Sequence, residues 1–207
     1  MPKRNGVHCP GTVWHNQGVS RDEGDRGDRG RGRRAPQPLD SAKLQELALR
    51  YVSRFATTRA KAGDYLRRKL RERGWSGEGS PDLDGMVSKL AELGYIDDAA
   101  FARAKAGSLG ARGYGLRRVS QALAQAGVGQ ADGEDARNLA EDGAVEAALR
   151  FARRRRIGPF ATGPGDPAAR EKALAAMLRA GHGFALARTI VNAAPGEQLD
   201  LDELRSH

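Results

Sequence analysis

Side chains able to do chemistry are sparse in this 207-residue chain, and their spacing argues against most reactions. His8, Cys9 and His15 bring metal-ligating atoms together near the start, but no second ligand cluster follows to complete a four-coordinate site. His182 and His207 have no partner pattern around them. Asp97 and Asp98 are the one Asp–Asp pair. Neighbours on a helix point about 100° apart, so these two do not face each other across a cleft as acid and base. Capping a helix N-terminus explains them better, because a carboxylate accepts a free N–H there and meets the helix dipole favourably. No Gly-Lys-Ser/Thr occurs, and Gly110–Gly115 (GARGYG) lacks the Gly-x-Gly-x-x-Gly spacing of a phosphate cradle. The expectation is a protein that is not an enzyme and takes neither cofactor nor metal. The single Cys9 rules out a disulfide framework and fits a reducing, cytoplasmic setting.

The basic residues carry more information. Net charge is +9, distributed as +4 over residues 1–38, +3 over 39–94, +3 over 95–127 and −1 over 128–207. The positive potential therefore belongs to the front of the chain and attracts polyanions such as nucleic acid or acidic protein surfaces. On a helix ending at Arg73, Lys61, Arg68 and Arg71 share one face, Arg67 sits one turn before Arg71, and Lys69 lies among them. Arg112, Arg117 and Arg118 flank Gly113-Tyr114-Gly115, where a turn opens another helix. Backbone N–H groups at that helix start, with arginines beside them, suit a phosphate or a partner carboxylate. Arg153–Arg156 form a run of four at a helix end, of which Arg153 and Arg154 complete the candidate binding set. For any single arginine a solvated face is the simpler explanation. Three clusters at repeat-related positions point instead to a surface with a partner.

These side chains must be carried by helices. Leu, Ala and Val dominate the apolar residues, aromatics are 5%, and no segment alternates with a period of two. The apolar stripe Leu44, Leu47, Ala48, Tyr51, Val52 and Phe55 opens a series of helices capped at Asp40 or Ser41, Thr57 or Thr58, Asp82 and Asp97. Leu83, Met86, Val87, Leu90 and Leu93 stripe the third helix. The last helix carries Phe184, Ala187, Ile190, Val191 and Ala194 and stops at Pro195. The stop glycines Gly74, Gly127 and Gly181 lie 53 and 54 residues apart, enough for three short helices per unit. The expected fold is all-α: an elongated array of three tandem three-helix repeats (39–94, 95–141 and a divergent 142–207) behind a disordered basic arm, 1–38. The stretch from Arg21 to Arg34 has no apolar side chain to offset the entropy of ordering. No apolar run is long enough to cross a membrane, and a monomer is the expected state.

Three segments in combination resemble the RecX family, small regulators of the RecA recombinase. They are GYIDDAAFA (Gly94–Ala102), GYGLRRVSQALAQAGV (Gly113–Val128) and ALRYVSRF with LRRKLRERGW (Ala48–Phe55 and Leu66–Trp75). The resemblance makes Gly94, Tyr95, Asp97, Asp98, Phe101, Gly113, Tyr114 and Gly115 the motif positions. It departs at Leu116, where the family usually has Pro, and at Asp64, where it usually has Glu; the third unit carries a Pro/Gly-rich insertion and matches only in helix spacing. The resemblance implies an all-α repeat protein that binds the RecA nucleoprotein filament and inhibits its extension and its recombinase, ATPase and coprotease activities, in DNA repair, recombination and the SOS response. It also implies weaker binding to single- or double-stranded DNA. The alternatives are a DNA-binding architectural protein with no RecA partner and an all-α DNA-processing enzyme, for which the catalytic Lys or Asp arrangement is missing.

Overall fold

The computed structural model describes residues 37–205; the arm expected over 1–38 lies, except for Gln37 and Pro38, outside the described residues. Ten α-helices follow one another: α1 (Ser41–Arg54), α2 (Arg59–Arg73), α3 (Leu83–Glu92), α4 (Asp98–Ala111), α5 (Leu116–Gln125), α6 (Glu134–Asp142), α7 (Ala144–Arg155), α8 (Pro167–Arg179), α9 (Phe184–Asn192) and α10 (Leu201–Arg205). A 3-10 turn at Gly158–Phe160 precedes α8. Short polar side chains start the helices where the chain offers them. Asp40, Thr58, Asp82, Asp97 and Asp166 each accept from a backbone N–H three residues on, at 2.6–3.2 Å, which satisfies a donor that no helical carbonyl can reach.

The apolar faces bury into three clusters in chain order. Leu44, Ala48 and Val52 of α1 meet Ala62 and Leu66 of α2 and Val87 and Leu90 of α3. Ala102, Ala106 and Leu109 of α4 meet Val119 and Leu123 of α5 and Ala136 of α6. Ala148, Phe151 and Ala152 of α7 meet Met177 of α8 and Ile190 of α9. Leu39 is fully buried in the first cluster. Its N–H donates to Gly74 O (3.0 Å) and its carbonyl accepts from Ser76 N (2.8 Å), so the entering chain closes the end of α2.

Several details differ from the sequence expectations, among them that α9 ends at Asn192 and leaves Ala194 beyond it, exposed. Phe55 follows the end of α1 and is 54% exposed, since the buried stripe is the narrower i, i+4, i+8 set. Leu93 ends α3 on its outer side at 59% exposure, and Phe184 sits in the first turn of α9 at 51%. The helix α10 is an addition beyond Pro195: Leu204 buries against the third cluster, and Arg205 bonds Glu146 of α7 at 3.1 Å.

The clusters join through their middle helices, which abut end to end. Thr58, the cap of α2, donates its hydroxyl to Ala126 O at the end of α5 (2.6 Å). One unit later, Gly115 N donates to Ala180 O (3.0 Å) and Arg117 N to Gly181 O (3.2 Å), seating the start of α5 on the end of α8. Each contact sets a carbonyl-rich C-terminus against an N–H-rich N-terminus, which is favourable for the helix dipoles and satisfies both sets of orphan groups. The second junction requires glycine. A Cβ on Gly115 would overlap the Gly181 carbonyl and lie 2.8 Å from His182 N. Gly113 has φ +74° and runs against the α7 backbone.

Candidate binding surface

The motif positions are built into the junctions. Asp97 caps its own helix, α4, through Ala100 N (2.7 Å). Asp98 is buried and reaches back to accept from Arg59 N, the first residue of α2, at 2.9 Å. The carboxylate pair thus splits into a local cap and a cap on the preceding unit. Sequence reasoning found the first role and missed the second, because nothing local marks a contact 39 residues away. Phe101 lies under Lys61 at 4.8 Å, a further tie between the units. Gly94 and Tyr95 form the stop after α3, Tyr95 N bonding Leu90 O (2.9 Å). Tyr114 packs against both the second and third clusters.

His182 was unassigned by its sequence context, and its position is specific. It is 2% exposed, its ring is 5.5 Å from that of Phe151, and Nε2 donates to Gly113 O at 3.2 Å. Nδ1 is buried without a hydrogen-bond partner among the described residues. Desolvation pulls its pKa below the usual 6.5, outweighing the hydrogen bond to Gly113, so the ring is held neutral.

The candidate cations divide by what they already touch. On α2, Arg67 is paired with Asp64 (3.1 Å) and Asp84 (3.3 Å), and Lys69 with Glu72 (2.6 Å). Arg68 lies between Glu72 (3.7 Å) and the Tyr65 ring (5.5 Å). Arg71 is exposed and makes no ion pair within 4 Å among the described residues. On α5, Arg117 is exposed, and the Arg118 side chain bonds the neutral Gln121 at 2.8 Å and no carboxylate among the described residues. Arg112 lies over Tyr114 (5.5 Å), and its carbonyl accepts from Arg154 (2.6 Å). Arg153 covers the Phe160 ring at 5.0 Å. The structure therefore brings Arg112 and Arg154 together at the second junction, while the α2 set lies beyond the length of α5 from Arg117 and Arg118. The N–H groups proposed for an anion at the start of α5 are not open: those of Gly115 and Arg117 are spent on Ala180 and Gly181.

An apolar cavity of about 780 Å³ opens beside α1 and α3, lined by Leu49, Trp75, Met86, Leu93 and Tyr95 among others. A second, of about 450 Å³, lies in the third unit beside the Arg155–Arg156 end of α7. Among the described residues no group of three or more His, Cys, Asp or Glu side chains is placed to hold a metal ion. No helix among them is long and apolar enough to cross a membrane.

Comparison with known proteins agrees with this arrangement. Residues 97–136 match the family model described as RecX, second three-helix domain, which spans α4, α5 and the start of α6. Regulatory protein RecX of Myxococcus xanthus (strain DK1622) is 32% identical over 173 residues, covering 80% of this chain and 92% of that protein. The chain belongs to the RecX family. Regulatory protein RecX of Thermobifida fusca (strain YX) is 31% identical over 77% of this chain and 82% of its own length. Among solved structures, RecX from Lactobacillus salivarius superposes with a TM-score of 0.54 at 20% identity, covering 80% of this chain and 97% of that one. A second RecX crystal structure gives 0.52 at 22% identity, over 72% of this chain and 70% of that one. At such identities the likeness is one of fold, and it bears out the all-α repeat architecture expected from helical periodicity. The RecX motif segments fall at the inter-unit contacts of Asp98 and of Gly113–Gly115, as well as on exposed arginines.

Proposed function

We propose that this RecX-family chain is a non-enzymatic, cytoplasmic regulator that binds the RecA nucleoprotein filament as a monomer and inhibits its extension and its recombinase, ATPase and coprotease activities. The observation that carries the reading is the near full-length match to a protein named regulatory protein RecX. Three helical units, docked through their middle helices, repeat as a filament lattice repeats, so successive units can meet successive protomers. In this reading Arg117 and Arg118 on α5, with Arg71 on α2, face DNA or acidic RecA surface. Arg67 and Lys69, already paired with carboxylates, contribute less.

Exposed apolar area favours a protein partner over DNA alone. Leu93 and Tyr95 border the larger cavity, and a phosphate backbone gains nothing from such side chains. The test is RecA ATPase on single-stranded DNA with this protein titrated in. Inhibition is expected at or below equimolar protein, and its absence at several-fold excess overturns the reading. An architectural DNA-binding protein would instead bind DNA with a salt slope of about −0.7 to −0.9 per phosphate contact and leave RecA turnover unchanged.

A further inference from the structure

The third unit carries a cationic cavity that the RecA reading does not use. Summed over 128–207 the chain is slightly acidic, yet residues 150–172 hold seven cations and two carboxylates. The fold gathers four of those cations, Arg155, Arg156, Arg170 and Lys172, around the 450 Å³ cavity, with no Asp or Glu in its lining. None of the four forms an ion pair among the described residues, and all are exposed. Arg155 lies over the Phe151 ring at 5.7 Å, a contact that leaves its charge without a carboxylate, while the neighbouring Arg154 is tied to the Arg112 carbonyl. Ile157, Ala173 and Val191 give the lining an apolar part, and Gly163 and Gly165 of the insertion loop border it without side chains.

The backbone adds a separate observation. Arg156 is the one non-glycine residue at positive φ among the described residues (φ +54°), in the left-handed position that ends α7. Where α2, α3, α4, α5 and α8 stop at positive φ, the residue is glycine: Gly74, Gly94, Gly113, Gly127 and Gly181. An arginine held where glycine is easier points to a use for its side chain.

We infer that this cavity binds a phosphate-bearing ligand of nucleotide size, with the phosphates on the four cations and the nucleoside against the apolar part of the lining. Like charges gathered without counter-charge call for a multivalent anion. A cavity of this volume is in the range of small-ligand sites. The same chemistry is offered by a free nucleoside triphosphate and by a nucleotide within a single strand.

The test uses the full-length chain without RecA, so its outcome is independent of the filament reading. ATP binding is followed by calorimetry and a fluorescein-labelled oligothymidylate by anisotropy, for the native chain and for Arg156→Gly, Arg170→Glu and Lys105→Glu. Arg156→Gly relieves the left-handed strain, so its melting temperature is expected to hold or rise. Loss of binding in that variant is then not loss of fold. The native chain is expected to bind at least one ligand saturably. Arg156→Gly and Arg170→Glu should each weaken it about tenfold, as one lost charge-assisted contact would. Lys105→Glu, an equal charge reversal on α4 away from the cavity, should stay within about twofold. Saturation by ATP with displacement by pyrophosphate assigns a free nucleotide. Strand binding that excess ATP does not displace, with a salt slope about 0.7 shallower in Arg156→Gly, assigns the strand. If neither ligand binds, if the two cavity variants bind as the native chain does, or if Lys105→Glu loses as much, the inference fails.

Discussion

Of the buried polar residues that tie neighbouring units together, Asp98 and His182 each give a measurable expectation. Asp98 is buried and accepts from Arg59 N across 39 residues, so Asp98→Ala removes the cap of one helix and strands a donor. The expected cost is about 1–3 kcal/mol by urea unfolding; a change below a few tenths would mean that the contact is not formed. His182 gives a pH dependence. Its folded pKa lies below 6.5, so the unfolded chain binds a proton more readily than the folded one. Stability is therefore level above pH 6.5 and falls as pH drops below it, no more steeply than about 1.4 kcal/mol per pH unit for one proton. The melting temperature should fall between pH 7 and 5.5, with that part of the fall absent in His182→Gln. A native profile identical to that of the variant would contradict the burial argument.

At the level of elements, stability is distributed over three clusters and two junctions. Gly115→Ala would push a methyl into the Gly181 carbonyl, and a backbone does not step aside as a flexible side chain can. The expected loss is about 1–3 kcal/mol, concentrated at the second junction. Hydrogen exchange is the suitable measurement, since protection should fall in α7–α9 while α1–α3 keep theirs. Uniform loss would show the units to be more strongly coupled than their separate clusters suggest. Leu123, fully buried on α5, gives the contrasting case. Leu123→Ala should cost about 2–5 kcal/mol and lower protection first in α4–α6.

For the whole molecule, function depends on which arginines remain uncommitted once the units have docked. Arg117 and Arg118 project from the first turn of α5 without ion pairs among the described residues, so Arg117→Glu with Arg118→Glu should leave the melting temperature within about 2 °C. The same change should raise the concentration needed for half-inhibition of RecA ATPase by roughly tenfold, about 1.4 kcal/mol. Reversing Arg67, which already has two carboxylates, should do less to inhibition. Equal effects at both places would mean that net charge, not position, sets the response.

Helices, caps and stops were legible in the chain itself, because they arise from interactions within about four residues, and the repeat was legible because its stop glycines recur at 53 and 54 residues. Asp40, Thr58, Asp82 and Asp97 act where their types and spacing placed them. The motif glycines were legible as turns, but the reason for Gly115 was not, since the atom that excludes a side chain belongs to Gly181. Nor did periodicity reveal that Phe55, Leu93 and Phe184 stay outside, because a helical stripe fixes a direction and not how far the partner helix extends along it. Segment charge was the least informative quantity: a total of −1 over the last third concealed seven cations in one stretch. Composition sums charge along a line, whereas a cavity collects it from α7 and α8 across a turn. Only tertiary packing decided that Asp98 serves another unit, that His182 is sealed from water and that four arginine and lysine side chains share one hollow.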